Sequence, residues 1–238
     1  MPHLDYVGEL PADVMALQEV RLTQDGIIIA DDALRVGRWL SIWGQAQPCR
    51  PNAVKHPNSP LDAKQGGVSL QIKNAHNAVP SPRTKLGDEL YLTGRWQSAV
   101  VRICGGDILM HVITVYGYPR ANEGGETYEQ NEEFMRKVFL EAESLGNVPV
   151  AICGDFNVNI ERSQILSQNT VSGKWIDAVG AVAASMDLVP EPTYQVGNTQ
   201  SRIDHVFLNP VAGTMLVEAE VLEVPEHGIK RHHPVRVV

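Results

Sequence analysis

The sequence predicts a layered α/β fold, because segments typical of strands and of helices alternate along the chain. GGVSLQI, SAVVRICG and DILMHVITVYGY are rich in β-branched residues and bounded by glycine or polar residues, which is typical of strands. GGETYEQNEEFMRKVFLEAESLGNV instead repeats apolar residues at helical spacing. The 238 residues contain no repeat, low-complexity tract or long linker, so we expect one domain with a site on the loops at strand ends.

The first half of the chain begins with LPADVMALQEV, which we interpret as a turn leading into a short buried strand. The segment from Gln45 to Lys64 is rich in proline and is predicted to be irregular surface structure. The three strand segments named above follow it in order.

The second half begins with the clearest helix. Phe134, Val138, Phe139 and Leu145 recur on one face, and Gly146 is a suitable stop. VPVAICGDFNV is then predicted to be an apolar strand that ends in a polar turn. WIDAVGAVAASM is predicted to be a helix, SRIDHVFLN a strand and KRHHPVRVV a last strand.

Composition narrows the functional class. The formal net charge is -8, which provides no overall attraction to a polyanion and counts against a dedicated nucleic-acid binder. No charged start followed by an apolar run indicates a secretory signal, and no apolar run approaches the roughly 20 residues of a membrane helix. Cys49, Cys104 and Cys153 lack paired-ligand spacing. We therefore expect buried thiols at the last two and a reducing intracellular compartment, cytoplasm or nucleus.

AICGDFNVN is the first candidate for chemistry. It places Asp155 and Asn157 two residues apart, hence on one side if the strand continues. The carboxylate could position or deprotonate a water, and the amide could donate to a phosphoryl oxygen. The alternative is an ordinary strand-end turn, where these residue types are common.

Two further candidates also end apolar runs. Glu19 in ALQEV offers a hard carboxylate ligand of the kind that magnesium accepts, although an ordinary exposed glutamate is the simpler interpretation. Tyr116 in VITVYGYP could donate its phenol to phosphate, although half-buried packing is commoner.

The pattern of SRIDHVFLN places Ile203, His205 and Phe207 on one face and leaves Asp204 on the other. Asp204 could orient a histidine and fix its tautomer, or be capped locally by Ser201 and Arg202. The chain also carries adjacent histidines in KRHHPV, and a strand cannot direct both His232 and His233 into one pocket.

In this order, the segments LQEV, TVYGYP, GDFN, SRIDHVF and KRHHPV resemble the endonuclease/exonuclease/phosphatase superfamily, with the accessory GGV and PTY also in place. The resemblance extends from about Leu10 to the last residue. It implies a DNase-like four-layer sandwich, α/β or α+β, with two packed mixed β-sheets flanked by helices. The abasic-site and retrotransposon endonucleases look most similar.

The resemblance also implies roles for matched residues. Glu19 looks like the ligand of Mg²⁺ or Mn²⁺, and Asp155 like the residue that activates water. Asn157 and Tyr116 look like phosphate contacts. The catalytic histidine of the family lies two positions before the proline, which selects His232, with Asp204 as its orienting partner.

Two departures from the family pattern stand out. Arg231 occupies the position of a family aspartate, and its fixed cation would pair with phosphate, repel a metal or lower the pKa of His232. The family's first strand, with its S/T-W/Y-N-x-x-G motif, has no counterpart. We therefore expect a single domain over 1–238 that is N-terminally incomplete.

These observations predict a divalent-metal-dependent phosphodiester hydrolase, most simply a monomeric DNA endonuclease of abasic-site or retrotransposon type. Two alternatives remain. The acidic charge would suit a phosphatase of a small phosphorylated substrate, whereas Arg231 would suit a degenerate domain that retains the fold without the chemistry. A generic α/β protein would require five ordered matches to be coincidence.

Overall fold

The structure is a computed structural model, and it describes residues 12–22, 24–45, 47–48, 64–223 and 231–238. The helices are α1 (Gln24–Val36), α2 (Lys85–Leu92), α3 (Glu126–Glu143), α4 (Gln164–Val171), α5 (Ala178–Ser185) and α6 (Pro210–Gly213). The strands are β1 (Val14–Gln18), β2 (Trp39–Trp43), β3 (Gln47–Pro48), β4 (Lys64–Gln65), β5 (Val68–Lys73), β6 (Val79–Pro80), β7 (Trp96–Ile103), β8 (Ile108–Tyr116), β9 (Val150–Asp155), β10 (Ile176–Asp177), β11 (Tyr194–Val196), β12 (Thr199–Ser201), β13 (Asp204–Leu208), β14 (Ala219–Val221) and β15 (Val235–Val237).

The described strands form two main sheets. The larger has the order β10-β13-β9-β8-β7-β6, in which β8 and β9 are parallel and the other neighbours antiparallel. The smaller has the antiparallel order β1-β5-β2. Strand pairs β3–β4, β11–β12 and β14–β15 are separate hairpin-like ladders.

The two main sheets pack face to face. Leu70 and Ile72 of β5 lie in one apolar cluster with Ala99 and Val101 of β7. A second cluster, which includes Phe134 of α3, covers the other face of the large sheet. Helix α1 packs on the small sheet through Leu34 in a third cluster. The order helix, sheet, sheet, helix produces the four-layer, DNase-like sandwich that the family resemblance implies.

On the side of the large sheet that faces the small sheet, β9 and β13 are packed against other elements. Ala151 and Leu208 on that face pack with Ala178 of α5 and Ala219 of β14. The small sheet therefore covers one half of the large sheet, and α5 with the β14–β15 pair covers the other half. This division leaves the ends of β8, β9 and β13 between the two covers.

Most predicted elements are confirmed. The long helix ends at Glu143, and Gly146 follows with a φ of 78°, the left-handed region that glycine adopts without strain. Ile203, just before β13, and His205 and Phe207 within it are buried, as the alternation of this segment predicts.

Several boundaries were predicted wrongly. The segment WIDAVGAVAASM, residues 175–186, was predicted to be a helix throughout. The helix starts only at Ala178, because Ile176 and Asp177 pair with β13 instead. The last strand starts at Val235 rather than before the histidines, because Arg231 has a φ of 83° that a strand cannot adopt. Most of the proline-rich segment, together with Cys49, lies outside the described residues, although Gln47–Pro48 pairs with Lys64–Gln65.

Cys153 is only partly buried as a residue, but its thiol donates to the Ile113 carbonyl at 3.3 Å, and burial raises its pKa to about 12. It is therefore an unreactive thiol. Across the described ranges, no helix has the length and apolarity that crossing a membrane requires.

Candidate active site

Three polar side chains lie in one row across neighbouring strands of the large sheet. Tyr116 ends β8 and is paired in register with Asp155, which ends β9. Asp155 is in turn opposite Asp204, the first residue of β13. Because paired residues on adjacent strands project to the same face, the backbone ladder itself brings a phenol and two carboxylates together.

Glu19 reaches this row from the small sheet. It follows β1 with a φ of 53°, which turns the chain at the strand end. The Tyr116 hydroxyl donates to one Glu19 carboxylate oxygen, and Arg21 donates to the other at 2.6 Å. Burial would raise the pKa of Glu19, but these hydrogen bonds outweigh it and lower the pKa. Glu19 is therefore an anion at neutral pH.

A second contact holds the two sheets in register beside Glu19. The Gln18 side-chain amide donates to the Thr114 hydroxyl at 3.0 Å, which joins β1 to β8 directly. Both residues precede a member of the site, Gln18 by one position and Thr114 by two. The Q-E pair of the sequence therefore combines a residue that joins the sheets with a residue that faces the row.

Asp155 is the more buried of the two carboxylates in the row, with 6% of its surface exposed. Burial, with the nearby negative charge of Asp204, raises its pKa to about 7, although His232 and the Asn157 amide oppose the shift. The Asn157 group in question is its backbone N–H, which donates to the Asp155 carboxylate at 2.9 Å. A carboxyl group that titrates near neutral pH can accept a proton from water and later release it.

His232 completes the cluster from the far end of the chain. Its Nδ1 lies 3.0 Å from an Asp204 carboxylate oxygen. Burial would lower its pKa, but the hydrogen bond to Asp204 and the charges of Asp204, Asp155 and Glu19 raise it overall. The Tyr194 ring lies against the imidazole, with centroids 4.8 Å apart.

The two adjacent histidines have different environments. His233 contributes its backbone amide to the Thr193 carbonyl at 2.7 Å, whereas the His232 side chain faces Asp204. Arg231 is exposed, and its carbonyl accepts from the Gln195 amide at 2.9 Å. The structure therefore brings His232 into the cluster, and the ion pair with Asp204 forms despite the neighbouring arginine.

Asn157 does not lie as the sequence suggests. The strand ends at Asp155, and Asn157 has a φ of 55°, so the two side chains do not share a strand face. The Asn157 side-chain amide donates to the Gly117 carbonyl at 3.1 Å. Because a carboxamide carries two N–H groups, this contact leaves a second donor for a ligand.

Four further residues support the cluster and were missed as functional candidates: Arg21, Arg95, Thr193 and Tyr194. Arg95 donates to the Tyr116 and Gly117 carbonyls at 3.2 and 2.8 Å, and its guanidinium lies over the rings of Tyr116 and Tyr118. Its position in GRW gave no signal, because the contacts span more than twenty residues of sequence. Thr193 and Tyr194 had a signal, as the last two letters of PTY.

The sequence profile of the endonuclease/exonuclease/phosphatase family matches residues 4–222, nearly the whole chain. The chain belongs to the endonuclease/exonuclease/phosphatase family. A search of curated protein sequences found no significant match.

Solved structures of this family share the fold at low sequence identity. The APE2 catalytic domain of Xenopus laevis superposes with a TM-score of 0.72 at 17% identity, covering 98% of this chain and 85% of that one. The Neisseria 3′ phosphatase NExo, bound to a product DNA hairpin, gives 0.69 at 18%, covering 98% and 91%. A mannosyl-6-phosphatase from Bacteroides thetaiotaomicron gives 0.63 at 17%, covering 99% and 88%.

Members of this family are hydrolytic phosphoesterases and generally depend on a divalent metal. The donor chemistry of the site fits such an ion, because Glu19 is an anionic hard-oxygen donor close enough to Asp155 for their charges to interact. Within the described part of the chain, Asp155, Asp204 and His232 also offer one ligand atom each within 4.8 Å of one another. Residues that could hold a cation are therefore present at this end of the sandwich.

Proposed function

We propose that the chain is a divalent-metal-dependent phosphodiesterase that cleaves DNA, as an endonuclease of abasic-site or retrotransposon type. The observation that carries this proposal is the convergence of Glu19, Tyr116, Asp155, Asp204 and His232 at one end of the two sheets. Hydrolysis of phosphoesters is general in this family. The structural similarity to NExo, which was solved with a product DNA hairpin, supports nucleic acid as the substrate class.

Asp155 is the proposed general base. It is nearly buried and its pKa lies near 7, so it can take a proton from a water molecule that attacks the phosphorus atom. The backbone N–H of Asn157 donates to one carboxylate oxygen of Asp155 at 2.9 Å, which leaves the other oxygen to orient that water. Its orientation therefore comes from the backbone rather than from a mobile side chain.

His232 is the proposed cation on the other side of the phosphate. Asp204 holds Nδ1, so the ring presents Nε2 to the substrate, and the raised pKa favours the charged imidazolium. An imidazolium would stabilise the negative charge that develops on the phosphoryl oxygens. The second N–H of Asn157 would donate to the same oxygens.

Mg²⁺ or Mn²⁺ bound at Glu19 would polarise the phosphate and neutralise part of its charge. Tyr116 holds one oxygen of Glu19, and burial together with that hydrogen bond raises the pKa of the phenol. Tyr116 therefore stays protonated at neutral pH and acts as a donor. Arg21 holds the second oxygen, which fixes the carboxylate plane before an ion binds.

One observation favours a second candidate, a phosphatase acting on a small phosphorylated substrate. The formal net charge of -8 opposes long-range attraction of a polyanion, whereas a small phosphate requires only the local cations. The sugar phosphatase among the structural neighbours has the same fold. The two candidates use the same residues and differ in the leaving group.

The deciding experiment offers three substrates with Mg²⁺ or Mn²⁺: a supercoiled plasmid, an abasic-site duplex and a sugar phosphomonoester. The wild type is compared with Asp155→Ala and His232→Ala, and with Asp107→Ala, which alters an exposed aspartate beyond the opposite end of β8. Cleavage of DNA that the first two variants abolish and the third retains would support the endonuclease. Release of phosphate from the sugar alone would support the phosphatase, and no cleavage by a folded wild type would contradict both.

A further inference from the structure

Thr193 links two segments of the candidate site that are distant in sequence. It is fully buried, with no exposed surface, between the loop after α5 and strand β11. Its backbone amide donates to the Ser201 carbonyl at 3.0 Å, which anchors it to the β11–β12 hairpin. Its hydroxyl contacts the segment that carries Asp204, and its carbonyl contacts the segment that carries His232.

The Thr193 hydroxyl fixes the start of β13. Its oxygen accepts from the backbone amides of Ile203 and Asp204 at 3.1 and 3.0 Å. These amides precede or begin the strand, and the hydroxyl stands where a neighbouring strand would otherwise accept them. The Asp204 main chain, and hence the origin of its carboxylate, is therefore defined by one side-chain oxygen.

The Thr193 carbonyl fixes the segment that carries His232. It accepts from the His233 amide at 2.7 Å, and the next residue, Tyr194, forms an isolated bridge with His232. The Gln195 amide donates to the Arg231 carbonyl at 2.9 Å and extends the same pairing. Both chain neighbours of His232 are thus hydrogen-bonded to residues 193–195.

We propose that Thr193 is a positioning residue for catalysis, which sets the separation and orientation of the Asp204 carboxylate and the His232 imidazole. The proposal rests on the proposed function only for its kinetic consequence. Asp204 and His232 are 28 residues apart, and Thr193 is hydrogen-bonded to the main chain at or next to each. A threonine that only satisfied buried amides would have no effect on the imidazole.

Three variants separate these roles. Thr193→Val keeps the shape and leaves two buried amides without an acceptor, whereas Thr193→Ser keeps the hydroxyl. Thr84→Val is a control away from the site, because the Thr84 hydroxyl also accepts from two backbone amides, those of Leu86 and Gly87, at the start of α2, although Thr84 is exposed and its hydroxyl also donates to Glu141. Thr193→Cys retains a weak acceptor and serves as a milder variant if valine prevents folding.

The first readout requires no substrate. The His232 Nδ1 proton, hydrogen-bonded to Asp204, should give a downfield proton resonance in metal-free protein, assigned by its loss in His232→Ala. We expect Thr193→Val to lose or broaden this resonance and Thr193→Cys to weaken it. Thr193→Ser and Thr84→Val should retain it.

The second readout uses whichever substrate the wild type cleaves. We expect Thr193→Val to lower kcat by roughly tenfold or more with KM changed by less than about twofold, and Thr193→Ser to restore kcat. A retained resonance and kcat in Thr193→Val, or an equal loss in Thr84→Val, would overturn the proposal. If the wild type cleaves nothing, the proposed function fails, and the resonance alone decides whether Thr193 positions the pair.

Discussion

At the scale of single residues, the site depends on a carboxyl group in a position that opposes its ionisation. Asp155 is nearly buried and faces Asp204 across the β9–β13 ladder, so burial and a like charge both raise its pKa. The same position that suits a general base therefore has an energetic cost for the fold. The effect of Asp155 on the free energy of unfolding can therefore be measured without any substrate.

We expect Asp155→Asn to be more stable than the wild type at and above pH 7 in metal-free buffer. The folded-state pKa of about 7 exceeds the ordinary 3.8, so the folded protein binds this proton more tightly than the unfolded chain. The resulting stability is complete below pH 3.8 and is lost as the pH rises through about 7. The variant avoids that loss, by at most a few kcal/mol.

Urea unfolding between pH 4 and 8 measures the difference. The gain should shrink towards pH 4, where the folded wild type, like the variant, is uncharged at this position. Asp107→Asn provides the control for loss of a carboxylate at the surface. A gain that does not vary with pH would contradict the interpretation.

His205 presents the opposite sign of pH dependence. It lies in the core against Phe156 and Phe207, and its Nδ1 has no hydrogen-bond partner in the structure. Burial lowers its pKa to about 4, so the folded protein binds this proton less tightly than the unfolded chain. Its contribution to stability is present above the ordinary pKa of 6.5 and is lost as the pH falls through about 4.

Replacing His205 with leucine should therefore reduce the acid sensitivity of the fold. We expect His205→Leu to be less stable at pH 7, by about 1–3 kcal/mol, because the Val158 carbonyl loses its 3.2 Å partner. Between pH 6.5 and 4 the wild type should lose more stability than the variant. Chemical unfolding across this range, with His76→Leu as a partly exposed control, checks the slope, and parallel slopes would refute it.

At the scale of elements, the parallel pair β8–β9 sets the spacing of the row. Gly154 precedes Asp155 with a φ of 146°, and a Cβ there would lie 2.0 Å from the Val115 carbonyl oxygen. Gly117 follows Tyr116, and a Cβ there would lie 2.3 Å from the Phe156 carbonyl oxygen. Two glycines thus allow the strand ends that carry Tyr116 and Asp155 to approach closely.

We expect Gly154→Ala to destabilise the fold by on the order of 2–4 kcal/mol, because the Cβ would displace the Val115 carbonyl and separate β8 from β9. Gly105→Ala is the control, since Gly105 has a φ of 71° but open space around it. That variant should cost only about 1 kcal/mol of backbone strain. Equal losses of unfolding free energy would show that the backbone conformation, and not the contact, sets the cost.

Local sequence predicted the elements that local patterns determine. The apolar run before Asp155 and the alternation around Asp204 indicated their strands, because burial fixes those periods. The shared face of Asp155 and Asn157 was predicted on the condition that the strand continues. That condition is not met, because the strand ends at Asp155 and a left-handed backbone and a contact with Gly117 forty positions away place Asn157. The contacts of Thr193 with Asp204 and His233 likewise exist only in the folded chain.

The roles of the site residues came from a different source. Order and spacing of five short motifs indicated the family, and the structure brings Glu19, Tyr116, Asp155, Asp204 and His232 together at one place. Their catalytic roles stay predictions. The partner of Glu19, Arg21, had no signal beyond its charge, because only the turn after β1 brings it to the carboxylate.

At the scale of the whole molecule, the dependence of the reaction rate on salt concentration distinguishes a DNA substrate from a small phosphate. The net charge of -8 provides no overall attraction to DNA, so binding of DNA would depend on local contacts with its phosphates. We expect kcat/KM for DNA to fall steeply with salt, with a logarithmic slope of about 0.9 for each phosphate neutralised on a duplex. A small phosphomonoester should show a much weaker dependence. Steady-state rates between low and physiological salt make the comparison, and a flat response with DNA would contradict multiple phosphate contacts.

The order of the chain also has a consequence for biosynthesis. Glu19, Tyr116, Asp155 and Asp204 are all made before His232, which reaches the cluster through its bridge to Tyr194. While residue 232 is still inside the ribosome, a growing chain can form the β8–β9 pair but lacks the imidazole that faces Asp204. The complete set of groups therefore forms only after residue 232 has left the ribosome, so until then a nascent chain carries an acidic centre without its imidazole.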